Sequence, residues 1–397
     1  MSPKRTQWGR AIAVMSLAAV LAACSDNKDV SLNDNDADAD SGPAPIGQRL
    51  AENYGIPYHA VIAHRGVSYY APEETRPAYK LARDVGADYL ELDLQRTSDG
   101  HLIALHDTNL KRTTNIEQVF PDRADNPVSS FTLAEIKQLD AGSWFNAAYP
   151  ERARPGFAGL KILTLDEVRQ IAENGENQPG LYLETKAPEL FPGIEKDLAD
   201  YLLSKGWIGA HPRMAPDDFD AEHHVNVGYT RGRVILQTFS KDSLVKLNQQ
   251  MPDTPKILLL FLGGEGEIPA DDSITQRPGE SDVAFQARQR VASREAYDAF
   301  LDFARAHGAV GVGPSATRAD LDPTYSYADL AMPWMIRHAH RRGLLVHVYT
   351  LDDVVDFRRY QERGVDGIFT NDAPTLLRFE GRPPSTSAPD LLDQYGY

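Results

Sequence analysis

From Tyr58 to Phe379 this sequence alternates short apolar runs with stretches of helical periodicity, and that alternation restricts the fold more than any other feature. Val61-Ile62-Ala63 is a first buried run. Ala78 to Val85 has helical spacing and stops at Gly86, and Tyr89 to Leu94 alternates as a strand does. Ser98-Asp99-Gly100 is a turn signal, and His101 to Leu105 reads as a strand returning from it, so this part is expected to form a hairpin. Beyond residue 160, Thr164 is placed to cap a helix with Glu167 at the capping-box position, and Ser240 to cap another. Strands are expected at Leu181–Lys186, Val234–Phe239, Ile257–Phe261, Ala309–Gly313, Leu344–Thr350 and Gly367–Thr370. Helices are expected between and after them, including one over Tyr327–Arg342 bent near Pro333. Setting the hairpin return aside, the count is that of an α/β fold, a (β/α)8 TIM barrel with a hairpin and two insertions at its mouth, about 108–160 and 263–292. A doubly wound open sheet is the alternative, weakened because no glycine fingerprint follows the first strand.

The segments outside the alternation have other compositions. Lys4, Arg5 and Arg10 precede an apolar run, Ala11 to Ala23, too short to span a bilayer comfortably, so 1–23 reads as a signal peptide. It ends Leu21-Ala22-Ala23-Cys24, which resembles a bacterial lipobox, with Cys24 as the lipidated residue. Cys24 is the only cysteine, which excludes a disulfide framework or a cysteine nucleophile in the mature domain. Residues 24–55 are expected to be an Asp-rich flexible linker, 56–380 the barrel domain, and 381–397 a tail. Asp36, Asp38 and Asp40 alternate like the start of a calcium loop, but Ser41 stands where that loop needs Gly and Gly47 where it needs Glu. The formal net charge of −16 excludes nucleic acid as a partner on charge grounds. An anionic substrate must therefore be attracted by local cations.

In a barrel of this kind chemistry gathers at the C-terminal ends of the strands. His64 and Arg65 end the first strand. Glu91 and Asp93 are two apart on a strand and share a face, as do Glu184 and Lys186, and His347 and Tyr349. Converging carboxylates are costly to bury unless they bind something, and a cation held by Glu91, Asp93 and Glu184 would relieve their repulsion. Oxygen-only ligands favour calcium or magnesium over zinc. His64 and His106 are the candidate acid/base pair, because histidine titrates near neutral pH. Arg65 offers a bidentate fork for phosphate oxygens and Lys186 a point charge. Trp144 and Phe145 are either a pocket wall or the core of the first insertion.

These residues occur in blocks that resemble the glycerophosphodiester phosphodiesterase family. The blocks are His64-Arg65-Gly66, Pro72-Glu73-Glu74-Thr75, Glu91-Leu92-Asp93-Leu94, His106-Asp107, Gly142-Ser143-Trp144-Phe145, Leu183-Glu184-Thr185-Lys186, Leu236-Gln237-Thr238-Phe239 and Gly367-Ile368-Phe369-Thr370. Phe120-Pro121-Asp122-Arg123-Ala124 and Val346-His347-Val348-Tyr349-Thr350 are similar to the bacterial periplasmic members. The resemblance implies hydrolysis of glycerophosphodiesters to sn-glycerol 3-phosphate and an alcohol. It implies one divalent cation, calcium ahead of magnesium, on Glu91, Asp93 and Glu184, with phosphate at Arg65 and Lys186 and acid/base catalysis by His64 and His106. A lysophospholipase D-like specificity and a non-catalytic binding barrel are the alternatives. With the lipobox, the implied setting is an exported lipoprotein on the periplasmic side, anchored through Cys24 to the outer membrane. Glu74 departs from the family, which has Asn or His at that place.

Overall fold

The computed structural model describes residues 45–209, 211–263 and 268–397; the expected signal peptide, Cys24 and most of the expected linker lie outside them. Nine strands form one sheet: β1 Ala60–Ala63, β2 Tyr89–Arg96, β3 Leu102–Ala104, β4 Gly180–Thr185, β5 Val234–Thr238, β6 Lys256–Leu260, β7 Gly311–Pro314, β8 Leu345–Val348 and β9 Gly367–Thr370. Their order is β1-β9-β8-β7-β6-β5-β4-β2-β3, and β1 also pairs with β2, so eight parallel strands close into a barrel. The ninth strand, β3, is the hairpin return. It runs antiparallel to β2, pairing Leu94 with Ala104, and hangs outside the closed ring. The expected (β/α)8 barrel with a hairpin at its mouth is the observed fold.

The strands are near-continuous apolar runs because helices cover the outside of the barrel and side chains fill its inside. Val61, Leu90, Leu92, Leu181, Leu183, Val234, Leu236 and Val312 face the helical layer, whereas Ile62, Tyr89, Tyr182, Ile235, Ile257, Leu345 and Phe369 form a separate interior core. The capping box at Thr164 and Glu167 forms as its sequence indicates, with Oγ1 of Thr164 accepting from Glu167 N and Glu167 Oε2 accepting from Thr164 N at 2.7 Å. The first insertion has a core of its own, built from Ile103, Leu110, Ile116, Val128, Phe131, Ile136 and Leu139.

Three stretches differ from expectation. A helix, Ile46–Tyr54, occupies the end of the segment read as a flexible linker. Its Ala51 joins the interior core from below, an amphipathic contact masked in sequence by the polar run before it. The tail contains a helix, Ala388–Tyr395, whose Ala388, Leu391 and Leu392 join the outer core. The helix expected over Tyr327–Arg342 instead begins at Pro333, where the pyrrolidine suits a first helical turn. Residues 327–332 run as a loop, which leaves Tyr325 and Tyr327 on the barrel's upper face. Among the described residues no helix is long and apolar enough to cross a membrane.

Candidate active site

The C-terminal ends of the strands surround a cavity of about 480 Å³, and His64, Arg65, Glu91, Asp93, His106, Glu184 and Lys186 all line it. Barrel register assembles them. Asp93 pairs with Glu184 across β2 and β4, and Glu184 pairs with Gln237 across β4 and β5, so three polar side chains form one row. Glu91 lies one inward step below Asp93. The hairpin supplies His106: Leu105 N donates to Asp93 O at 2.8 Å, which sets the following residue beside Asp93.

Arg65 follows the end of β1 with φ +56°, a left-handed conformation that costs a residue with a Cβ. Two bonds hold it there. Its N–H donates to Glu91 Oε2 at 2.7 Å, and its carbonyl accepts from Glu74 N at 3.0 Å. Its guanidinium then reaches Glu73 Oε1 at 3.0 Å and Asp93 Oδ2 at 3.2 Å. Burial opposes its charge, but Glu73 and Asp93 hold its pKa well above the usual value. Glu74 is itself left-handed at φ +57° and buried, and its Oε1 accepts from Asp93 N at 2.8 Å. Burial, with Asp93 adding, pushes the Glu74 carboxyl well above the carboxylate range.

Glu91, Asp93 and Glu184 each present an oxygen, and those oxygens lie within 4.8 Å of one another. Burial pushes Glu184 up to about 7, Asp93 adding and Lys186 opposing. Burial and then Asp93 push Glu91 well above the carboxylate range. For Asp93 burial acts the same way but is outweighed by the Lys186, His106 and Arg65 cations, which hold its pKa far down. Asp93 Oδ2 is buried without a hydrogen bond among the described residues. Carboxyl groups crowded this closely retain protons unless a cation replaces them, and the all-oxygen donor set suits a hard divalent ion. The residues present fit the expected metal. Lys186 Nζ stands 3.3 Å from Glu184 Oε1 and 3.4 Å from Asp93 Oδ1.

The two histidines differ in their support. His64 Nδ1 is 2.8 Å from Asn371 Oδ1. Asn371 cannot turn over, because its Nδ2 donates to Asp352 Oδ2 at 2.8 Å and an ionised carboxylate only accepts. Asp352 is held in turn by Arg318 Nη1 at 2.7 Å and by the Asn371 backbone N–H at 2.7 Å. His64 therefore carries its proton on Nδ1 and keeps Nε2 as a lone pair. Burial, then Arg65, lowers its pKa to about 3, so it is neutral at ordinary pH. His106 Nδ1 lies 2.7 Å from Asp107 Oδ1, an anionic partner. Its pKa is lowered by burial and Arg65, while Asp93 and Asp107 work to raise it.

Of the two readings of Trp144 and Phe145, the pocket wall is not what forms: Phe145 is fully buried in the outer core, Trp144 packs against that core, and neither lines the cavity. The aromatic wall comes from Phe239, Phe261, Tyr325, Tyr327 and Tyr349. His347 points into the barrel core, 3.0 Å from the Tyr182 hydroxyl, whereas Tyr349 reaches the cavity. Sequence reasoning missed Asn371, Asp352 and Arg318. The signal available was the polar step Thr370-Asn371-Asp372 directly after an apolar strand.

Fold and cavity together define a barrel hydrolase of phosphate diesters. The chain belongs to the glycerophosphoryl diester phosphodiesterase family, whose profile matches residues 64–375. It is 36% identical over 310 residues to a glycerophosphodiester phosphodiesterase of Bacillus subtilis, covering 78% of this chain and 82% of that one. It is 30% identical over 318 residues to one from Caldanaerobacter subterraneus, covering 80% and 96%. Two solved structures share the fold. One is a glycerophosphoryl diester phosphodiesterase from Silicibacter pomeroyi, with TM-score 0.56, 22% identity, and coverage of 84% of this chain and 98% of that one. The other is an Oleispira antarctica phosphodiesterase in complex with sn-glycerol-3-phosphate, with TM-score 0.53, 20% identity, and coverage of 82% and 97%.

Proposed function

We propose that this enzyme hydrolyses glycerophosphodiesters to sn-glycerol 3-phosphate and an alcohol by histidine acid/base catalysis at a divalent-cation site, with calcium as the preferred ion. The observation that carries the reading is the unequal support of the two histidines. Asn371 gives His64 a neutral partner and leaves Nε2 as a proton acceptor. Asp107 gives His106 an anionic partner that favours its protonated form. His64 is the general base and His106 the general acid.

Arg65 and Lys186 bind the non-bridging phosphoryl oxygens, Arg65 through its fork and Lys186 as a point charge. Nε2 of His64 takes the proton of the attacking hydroxyl, that of water or the substrate's own glycerol 2-hydroxyl. A new P–O bond forms, the P–O bond to the alcohol breaks, and His106 passes its proton to the departing oxygen. Attack by water gives sn-glycerol 3-phosphate at once; attack by the 2-hydroxyl gives a five-membered cyclic phosphate, which water then opens at the P–O bond to the 2-oxygen, with His106 taking the proton of the water and His64 returning its own to the 2-oxygen. Glu91, Asp93 and Glu184 would hold the divalent cation, which would supply Lewis-acid stabilisation of negative charge on the phosphoryl group. Phe239, Tyr327 and Tyr349 line the same cavity with aromatic surface. The relative solved with sn-glycerol-3-phosphate supports this choice of product.

The test is release of sn-glycerol 3-phosphate from glycerophosphocholine, with calcium and after chelation. Turnover with calcium and its loss on chelation are expected. A rate unchanged by chelation would overturn the metal assignment, and no release under either condition would overturn the substrate. We also propose that the protein is exported and lipidated on Cys24. Mass spectrometry of membrane-extracted protein would show a diacylglyceryl adduct there, and an unmodified Cys24 would refute it.

A further inference from the structure

Arg112 belongs to the first insertion and does not line the cavity, yet its guanidinium closes a bridge between both ends of the reaction centre. Nε and Nη2 donate to Asp107 at 2.8 and 2.9 Å. Nη1 and Nη2 donate to Glu73 at 2.9 and 2.8 Å. Glu73 also accepts from Arg65 Nη1 at 3.0 Å, and Asp107 accepts from His106 at 2.7 Å. The continuous chain is His106, Asp107, Arg112, Glu73, Arg65. Without Arg112 the Asp107 carboxylate keeps one hydrogen-bond partner among the described residues, His106, and is free to turn toward solvent, because the Asp107 side chain is 25% exposed.

We infer that Arg112 is a positioning residue: by clamping Asp107 and Glu73 in one planar fork, it aims His106 at the departing alcohol oxygen and fixes its distance from Arg65. The inference rests on the acid role assigned to His106. A fork is required, since a lysine ammonium cannot satisfy two carboxylates with paired parallel bonds. The side chain is 42% exposed and lies over the Trp144 ring with its guanidinium carbon 6.0 Å from the centroid. Substitution there opens no cavity in the core, so the effect to look for is on chemistry.

A general acid matters in proportion to how poorly the alcohol leaves. The experiment compares glycerophosphocholine, whose alkoxide leaves badly, with the p-nitrophenyl diester of glycerol 3-phosphate, whose phenolate leaves unaided. Arg112→Met is expected to lower kcat for the choline diester about 30- to 100-fold while changing the nitrophenyl diester less than about threefold, the size of effect seen when a supporting partner of a functional group is lost. Arg112→Lys should fall between the wild type and Arg112→Met on the choline diester. Turnover of the nitrophenyl diester reports that each variant is folded. Equal losses on both diesters, or no loss on either, would overturn the positioning role. His106→Asn, run alongside, should show the same split. If it loses both substrates equally, the acid assignment itself fails. If it shows the split and Arg112→Met does not, only the role of Arg112 fails.

Discussion

Asp352→Asn changes a residue two partners away from His64 and should reverse which of its nitrogens bears the proton. Asp352 now accepts four bonds. Oδ1 takes the Asn371 backbone N–H at 2.7 Å and the Thr370 hydroxyl at 3.1 Å, and Oδ2 takes Asn371 Nδ2 at 2.8 Å and Arg318 Nη1 at 2.7 Å. An asparagine must put its NH2 group on one side. The backbone N–H of Asn371 cannot rotate, so the amide oxygen stays opposite it and the NH2 group takes the place of Oδ2. There it opposes both Asn371 Nδ2 and Arg318 Nη1; the first conflict is relieved when the Asn371 amide turns over, and the second when Arg318, still held by Asp320, gives up its bond to residue 352. Asn371 Nδ2 then faces His64 and demands a lone pair on Nδ1, which moves the proton to Nε2. Keeping the original tautomer instead leaves a buried donor unpaired, at a cost of about 1–3 kcal/mol. That cost corresponds to a fall in kcat of roughly 5- to 150-fold. The assay is kcat for glycerophosphocholine together with 15N shifts of His64, which separate protonated from lone-pair ring nitrogens. A variant with kcat within about threefold of wild type and an unchanged Nε2 lone-pair signal would refute the chain Asp352–Asn371–His64 as the device that sets the base.

Further outcomes can be read from the same geometry. His64→Ala should reduce turnover of both choline and nitrophenyl diesters by about 10²- to 10⁴-fold with unfolding unchanged, and comparable activity would remove it as the base. Glu91→Gln should raise the calcium concentration for half-activation by about tenfold or more, since one of three anionic ligands is neutralised; an identical calcium titration would exclude it as a ligand. Glu73 is depressed to about 2 because Arg65 and Arg112 outweigh the opposing effect of burial. A depressed carboxyl stabilises the fold above its unfolded pKa of 4.5 and loses that contribution as pH falls through 2, so Glu73→Gln should cost up to about 3 kcal/mol at pH 7 and progressively less between pH 4.5 and 2. Urea unfolding at several pH values measures it, and a pH-independent difference would contradict the ion-pair account. Gly66 has φ +82° and an added Cβ would meet Ala78 Cβ at 2.8 Å, so Gly66→Ala should lower stability by about 2 kcal/mol or more and a neutral effect would be inconsistent with the packing.

The parts of the site carried by strands were legible in the sequence. Glu91 and Asp93, and Glu184 and Lys186, declare a shared face by their spacing on apolar runs, and barrel closure follows from the strand count. Parts carried by loops were less so. Asp352 and Asn371 lie in the loops after β8 and β9, which pair with each other, but their reach to His64 depends on β1 pairing with β9, a contact spanning most of the chain. Trp144 and Phe145 resemble a pocket wall because a solvent-facing wall and an insertion core need the same residues. The helix Ile46–Tyr54 went unseen because its polar neighbours lower the apparent order of the segment, while burial of Ala51 under the barrel is a tertiary gain that composition cannot register. Arg112 looked like one charge among many, and only its two carboxylate partners set it apart.

The seam between β1 and β9 has a consequence for when activity appears. His64 N–H bonds to Thr370 O at 2.9 Å, and the amide that orients its ring comes from the next residue, Asn371. The base is thus built from the first and last strands, while both carboxylates of β2 and the hairpin histidine come from consecutive early sequence. A chain that has collapsed around its first half holds an acid, two ligands and an arginine, but no oriented base. Recovery of turnover during refolding therefore requires the last strand to have docked, whatever part of the chain folds first.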